Sequence, residues 1–151
     1  MQLGRKEYFL SIPEKLRQLS PEAKPLWGLM SPQHMVEHVI GTWRISNGRA
    51  RVTKIFQPEL LEKRRNFLFS EDEYERNIPN PVFGNGLQDL RKESLSASID
   101  QLESEIQAFF QYHEENPMVM ENHPVFGALD TEGWILFQKK HMSHHLAQFG
   151  I

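Results

Sequence analysis

Residues 95–110 read LSASIDQLESEIQAFF. Leu95, Ile99, Leu102, Ile106 and Phe109 recur at spacings of three and four, which places them on one face of an α-helix. The periodicity predicts a helix from Leu87 to about Tyr112. Working outward, two further segments carry the same signature. Upstream, SPQHMVEHVIGTWRISNG begins with Ser31 as an N-cap and Pro32 at the first helical position, and it closes on Asn47-Gly48. Downstream, a segment capped by Asp130 or Thr131 runs to about Gln148. A first helix is expected from Lys6 to Leu19, beginning or bending at Pro13.

Between the second and third long segments the sequence predicts a short helix around Pro58–Phe69. An irregular stretch, NIPNPVFGNG, follows at 77–86, its Pro and Gly content excluding a regular element. Alternation with a period of two is weak throughout. The expected fold is therefore all-α: an antiparallel four-helix bundle with a short extra helix and an irregular loop between its second and third helices. The third and fourth helices are expected to be antiparallel neighbours. No repeat or long linker divides the chain, so residues 1–151 are expected to form one domain.

Composition narrows the function. The net charge is −3, and the one basic stretch, Arg44 to Arg65, lacks aromatic interleaving, so no nucleic-acid partner is expected. That stretch reads either as a rim attracting an anionic substrate or as a solvated surface balanced by Glu71, Asp72, Glu73 and Glu75. No apolar run approaches the ~20 residues of a membrane span, so no membrane partner is expected and the location is read as cytoplasmic. The chain has no cysteine, which leaves His, carboxylate, amide and carbonyl groups as the available metal ligands.

Histidine supplies the chemical signal. Three of the seven histidines, His141, His144 and His145, fall in HMSHHLAQFGI at 141–151. Residues four apart share a helix face, so His141 and His145 can share a ligand, with Gln148 continuing their stripe and His144 on its shoulder. His34 and His38 form a second such pair, and the two pairs can converge inside a bundle. Imidazole suits late transition metals over Mg and Ca. No Glu stands three residues before any His, which excludes the ExxH pattern of di-iron bundles, and HExxH is absent too. His113 and His123 are expected at the opposite end of the bundle, in capping or loop roles. Glu37 and Gln148 are candidate partners for the second nitrogens of ligating rings. Trp27, Phe83, Trp134 and Phe137 are read as core before pocket.

Three motifs in order, LWGLMSPQHMVEHV, HPVFG and a closing HxxxHxxQFG, resemble the DinB-like superfamily of bacterial metalloenzymes. Within it the chain is similar to a branch of unknown function that ends in HxxHHxxQFG. The likeness spans about Leu26 to Ile151. It implies one divalent metal (Zn, Ni, Fe or Mn) held by His38, His141 and His145, with Gln148 matching the glutamine that follows the last ligand. His34 and His144 then fall in the second shell or the pocket. Some relatives transfer or isomerise substrates with a low-molecular-weight thiol such as bacillithiol or mycothiol. The resemblance thus implies a metal-dependent transferase using such a thiol and an unidentified small-molecule substrate. A metal-assisted hydrolase or isomerase is the alternative, as is a non-catalytic metal-binding stress protein. A homodimer is plausible for such bundles.

Overall fold

The computed structural model describes residues 2–76 and 87–151. The stretch at 77–86, including Phe83, lies outside the described residues. Helix α1 (Gln2–Arg17) is followed by α2 (Pro32–Ser46), a 3₁₀ turn (Pro58–Leu60) and α3 (Leu61–Leu68). Then come α4 (Leu95–Glu115), a hairpin of β1 (Glu121–His123) and β2 (Gly127–Leu129), and α5 (Thr131–Gln148). Among the described residues the fold is thus predominantly helical, with one two-stranded sheet.

Helix α2 is the centre of the packing. Its apolar face of Met35, Val36, Val39, Ile40 and Trp43 is buried, and it packs against both α4 and α5. Helix α1 lays Phe9, Ile12 and Leu16 against α4 and runs unbroken through the buried Pro13, which neither starts it nor ends it. Helix α5 packs chiefly on α2 rather than on α4, so the expected pairing of the last two long helices is corrected. The chain between them explains why. It forms an antiparallel hairpin, with Glu121 opposite Leu129 and His123 opposite Gly127, and it packs on α2.

The hairpin was expected as a loop. Each of its strands is three residues long, too short for a period-two pattern to register. Its stability comes from side chains elsewhere. Trp134 Nε1 donates to the Glu121 carbonyl at 3.1 Å, and Arg65 donates to the Phe126 and Ala128 carbonyls. Arg64 reaches the carbonyls of Phe56, Gln57 and Val125. Arg49 pairs with the buried Glu105, and Arg51 approaches Glu121 at 3.9 Å. Much of the basic stretch therefore braces loops and buried carboxylates.

Helix α4 begins at Leu95, eight residues after the expected start. Ser94 caps it, accepting from the Ala97 N–H. Leu87 and Leu90, which extend the apolar pattern in sequence, are exposed. The preceding backbone is committed to Glu37, whose carboxylate accepts from the N–H groups of Arg91 (2.7 Å) and Lys92 (3.1 Å). Ser98 Oγ and Gln33 Nε2 complete the shell. Burial pushes the Glu37 carboxyl up, but the hydrogen bonds from Gln33, Arg91, Lys92 and Ser98 outweigh it and hold the group below its ordinary range. Glu37 is thus a clamp between α2 and the entry to α4, not a partner of His38.

Glu37→Ala should cost about 3 kcal/mol, since it leaves two backbone donors and a buried hydroxyl without their acceptor. Urea unfolding measures this. A loss below about 0.5 kcal/mol, the range of an ordinary surface change, would contradict the clamp.

Candidate metal centre

Helix α2 delivers His38 and α5 delivers His141 and His145 to one point. The amphipathic face of α2 fixes which side of that helix meets α5. The spacing of four on α5 stacks His141 and His145 on a single face. His38 Nε2 lies 3.1 Å from His141 Nε2, and His145 Nε2 lies 3.1 Å from the same atom. One nitrogen from each ring falls within 4.8 Å of the others, an arrangement that can hold a metal ion. Around a tetrahedral ion with metal–nitrogen distances of ~2.0–2.1 Å, ligand atoms stand about 3.3 Å apart. The two separations to His141 Nε2, both 3.1 Å, are close to that spacing.

Hydrogen bonding alone accounts for the arrangement poorly. A neutral imidazole nitrogen offers either one N–H or one lone pair, so His141 Nε2 can satisfy only one of its two neighbours. Protonation is opposed too. Burial pushes His38 down to about 4 and His145 to about 3, and neighbouring imidazoles add to both. His141 is held well below its ordinary range by burial and by His145, His38, His123 and His144. The rings are neutral near pH 7, the form that ligates a cation.

The tautomer of His145 can be read from its surroundings. Gln148 Nε2 donates to the Trp27 carbonyl at 3.1 Å, so Gln148 Oε1 faces His145 Nδ1 at 2.9 Å as an acceptor. Nδ1 therefore carries the proton, and Nε2 presents a lone pair to the cluster. His141 is held differently. Its Nδ1 is buried without a partner among the described residues, and its ring stacks on Phe137 with centroids 4.9 Å apart at 25°.

The other candidates lie elsewhere. His34 stays at the start of α2, its Nδ1 2.7 Å from Ser31 Oγ in a capping box where Glu or Gln is usual. His144 is beside the cluster but outside it, with its ring 5.1 Å from that of His145. It walls a cavity of about 350 Å³ together with Trp27, Tyr74, Arg76 and Lys139. His113 bonds Thr131 Oγ1 and the Ser46 carbonyl, tying α4 to the start of α5 and the end of α2. His123 accepts from the N–H groups of Val125 and Phe126 in the hairpin turn. Its ring lies 4.3 Å from Phe137, so it sits two rings from His141 rather than at the far end of the molecule.

Tyr74 was not singled out by sequence. It lies in the acidic run EDEYER, where nothing marks one aromatic as part of a site. Its ring packs 6.2 Å from His141 and 5.7 Å from His144, and burial raises its hydroxyl above the ordinary range. Trp27 reaches the cavity through the 26–28 segment, with Arg76 stacked 4.0 Å over its ring. Trp134 is core.

The buried imidazoles also predict an acid response. Their folded pKa values lie below the unfolded value of about 6.5, so the unfolded chain binds more protons between the two. Stability of metal-free protein should be level above pH 6.5 and fall as pH drops from there toward 4, with His123, pushed by burial to about 3, contributing alongside the cluster. Urea unfolding at pH 7.5, 6 and 5 tests this, and an unchanged free energy down to pH 5 would contradict neutral burial.

Residues 75–150, half of the chain, match the model of a family described as protein of unknown function (DUF1569). The span includes His141, His145 and Gln148, while His38 lies outside it. No curated protein and no solved structure matches the chain. By the match over its C-terminal half, the chain belongs to the DUF1569 family.

Proposed function

We propose that the protein is a metal-dependent enzyme whose single divalent transition metal is held by His38, His141 and His145, and that it transfers a group to or from a low-molecular-weight thiol. The observation that carries the metal is the approach of three neutral Nε2 atoms to one point, two of the separations being 3.1 Å. Three imidazoles bring no negative charge, and a divalent ion among them would lower the pKa of a bound water or thiol and stabilise its anion. The preference for a thiol rests on the DinB-like resemblance, which the placement of the three histidines on α2 and α5 supports. The same reading takes the long helices as an antiparallel DinB-like bundle in a cytoplasmic protein.

This chain's own residues have separable roles. Gln148 holds the proton of His145 at Nδ1. Phe137 orients His141 by stacking, and Tyr74 and His144 close the side of the cluster toward the cavity. His38 is the least buried residue of the three.

Untagged protein purified without chelator should contain close to one equivalent of Zn, Ni, Fe or Mn per chain by elemental mass spectrometry. The His38→Ala/His145→Ala variant, folded by circular dichroism, should contain less than a tenth of that. Absence of bound metal, with no uptake on titration at neutral pH, would overturn the reading. On loaded protein, activity with thiols and electrophilic acceptors would favour transfer, whereas turnover of esters or amides without a thiol would identify a hydrolase.

A further inference from the structure

We propose that Gly28 is a positioning residue of the histidine cluster, acting through the Trp27 carbonyl and Gln148 to hold His145 in the tautomer that turns its Nε2 lone pair inward. The inference goes beyond the three ligands. It places the control of one of them in a segment more than a hundred residues away in sequence.

The segment is tied to the end of α5 at two points. The Leu26 N–H donates to the Gln148 carbonyl at 2.7 Å, and Gln148 Nε2 donates to the Trp27 carbonyl at 3.1 Å. The second bond matters most. An isolated amide can present either its oxygen or its nitrogen to His145, and each choice selects the opposite tautomer. Because a carbonyl accepts only, the Trp27 oxygen draws the NH₂ group to itself and leaves Oε1 for His145 Nδ1.

Gly28 is what lets the carbonyl sit there. Its φ is +82°, a left-handed value that glycine adopts freely, and a Cβ at this position would lie 2.9 Å from Gln148 Nε2. That is closer than a side-chain carbon tolerates, and the atom it meets is the one that fixes the amide. A side chain at position 28 must push the Gln148 amide away from Trp27 or turn it. A turn of the amide frees His145 Nδ1 from its acceptor, and a displacement loosens the Trp27 bond that keeps Oε1 turned toward His145.

The test uses the full chain. ¹⁵N imidazole NMR on metal-free protein at pH 7.5 reads the tautomer, and Zn²⁺ titration reads affinity. In the wild type, His145 should be a single Nδ1–H form. Gly28→Ala should lose that single form and bind Zn²⁺ about 10–100-fold more weakly, the usual effect of losing an outer partner of a ligating His. Gly28→Asn adds the same Cβ but tolerates a left-handed backbone, so it should show the same change in tautomer with less loss of stability. Gln148→Met removes the acceptor and should behave like Gly28→Ala, whereas Gln148→Glu, which restores one, should recover the Nδ1–H form.

The inference is overturned if wild-type His145 carries its proton on Nε2. It is also overturned if folded Gly28→Asn keeps the wild-type tautomer, even with weakened metal binding, since backbone strain alone would then explain the loss. The affinity arm rests on the proposed metal site, but the tautomer arm does not. A shift of tautomer in a protein that takes up no Zn²⁺ would sustain the positioning role and sink the metal reading alone.

Discussion

The Nε2 atoms of His38 and His145 each lie 3.1 Å from Nε2 of His141, and that approach sets demands the rest of the structure meets. Like atoms at such a distance repel unless a proton or a cation stands between them. One proton satisfies one pair, and the central nitrogen of His141 has two neighbours. The cost is met through scaffold rigidity. Helix α2 is fixed between α4 and α5 by a fully buried apolar face, with Trp43, Met35 and Val39 all inaccessible to solvent. The Glu37 clamp, four donors on one buried carboxylate, locks the same helix one residue before His38.

The three rings are held by different physical means. A directional hydrogen bond fixes His145. Stacking on Phe137 fixes the plane of His141, whose Nδ1 has no partner among the described residues; a buried group left so costs about 1–3 kcal/mol. His38 is the least buried of the three residues. The difference in burial separates the two histidines of α5 from His38. It resembles what a site needs when one side must hold its ligands rigidly and the other must admit a further group. The cavity walled by Trp27, Tyr74 and His144 lies beside that assembly, with the His144 ring 5.1 Å from that of His145.

The helices were legible because each buries a stripe long enough to repeat. Ile99, Leu102, Ile106 and Phe109 announced α4, and Ser31 with Pro32 marked the start of α2 within a residue. What escaped were features settled by distant partners. Leu87 and Leu90 continue the pattern of α4, yet the nearby N–H groups of Arg91 and Lys92 go to Glu37, and no local signal reveals that competitor. The hairpin depends on Trp134, Arg64 and Arg65 reaching its carbonyls. In the site, the i, i+4 pair on α5 was plain from spacing. His38 and His34 were not distinguishable by spacing alone, and only the resemblance chose between them. Their difference lies in Ser31, which occupies His34 in a cap. Trp27, Gly28 and Tyr74 come from loops, where periodicity says nothing.

The central claim is that His38, His141 and His145 converge on one ion, and X-ray absorption at the metal edge of loaded protein tests it most directly. The account predicts three imidazole nitrogens at ~2.0–2.1 Å plus at least one further, exchangeable ligand. A first shell with fewer than three imidazoles, or one unchanged in His141→Ala, would contradict it.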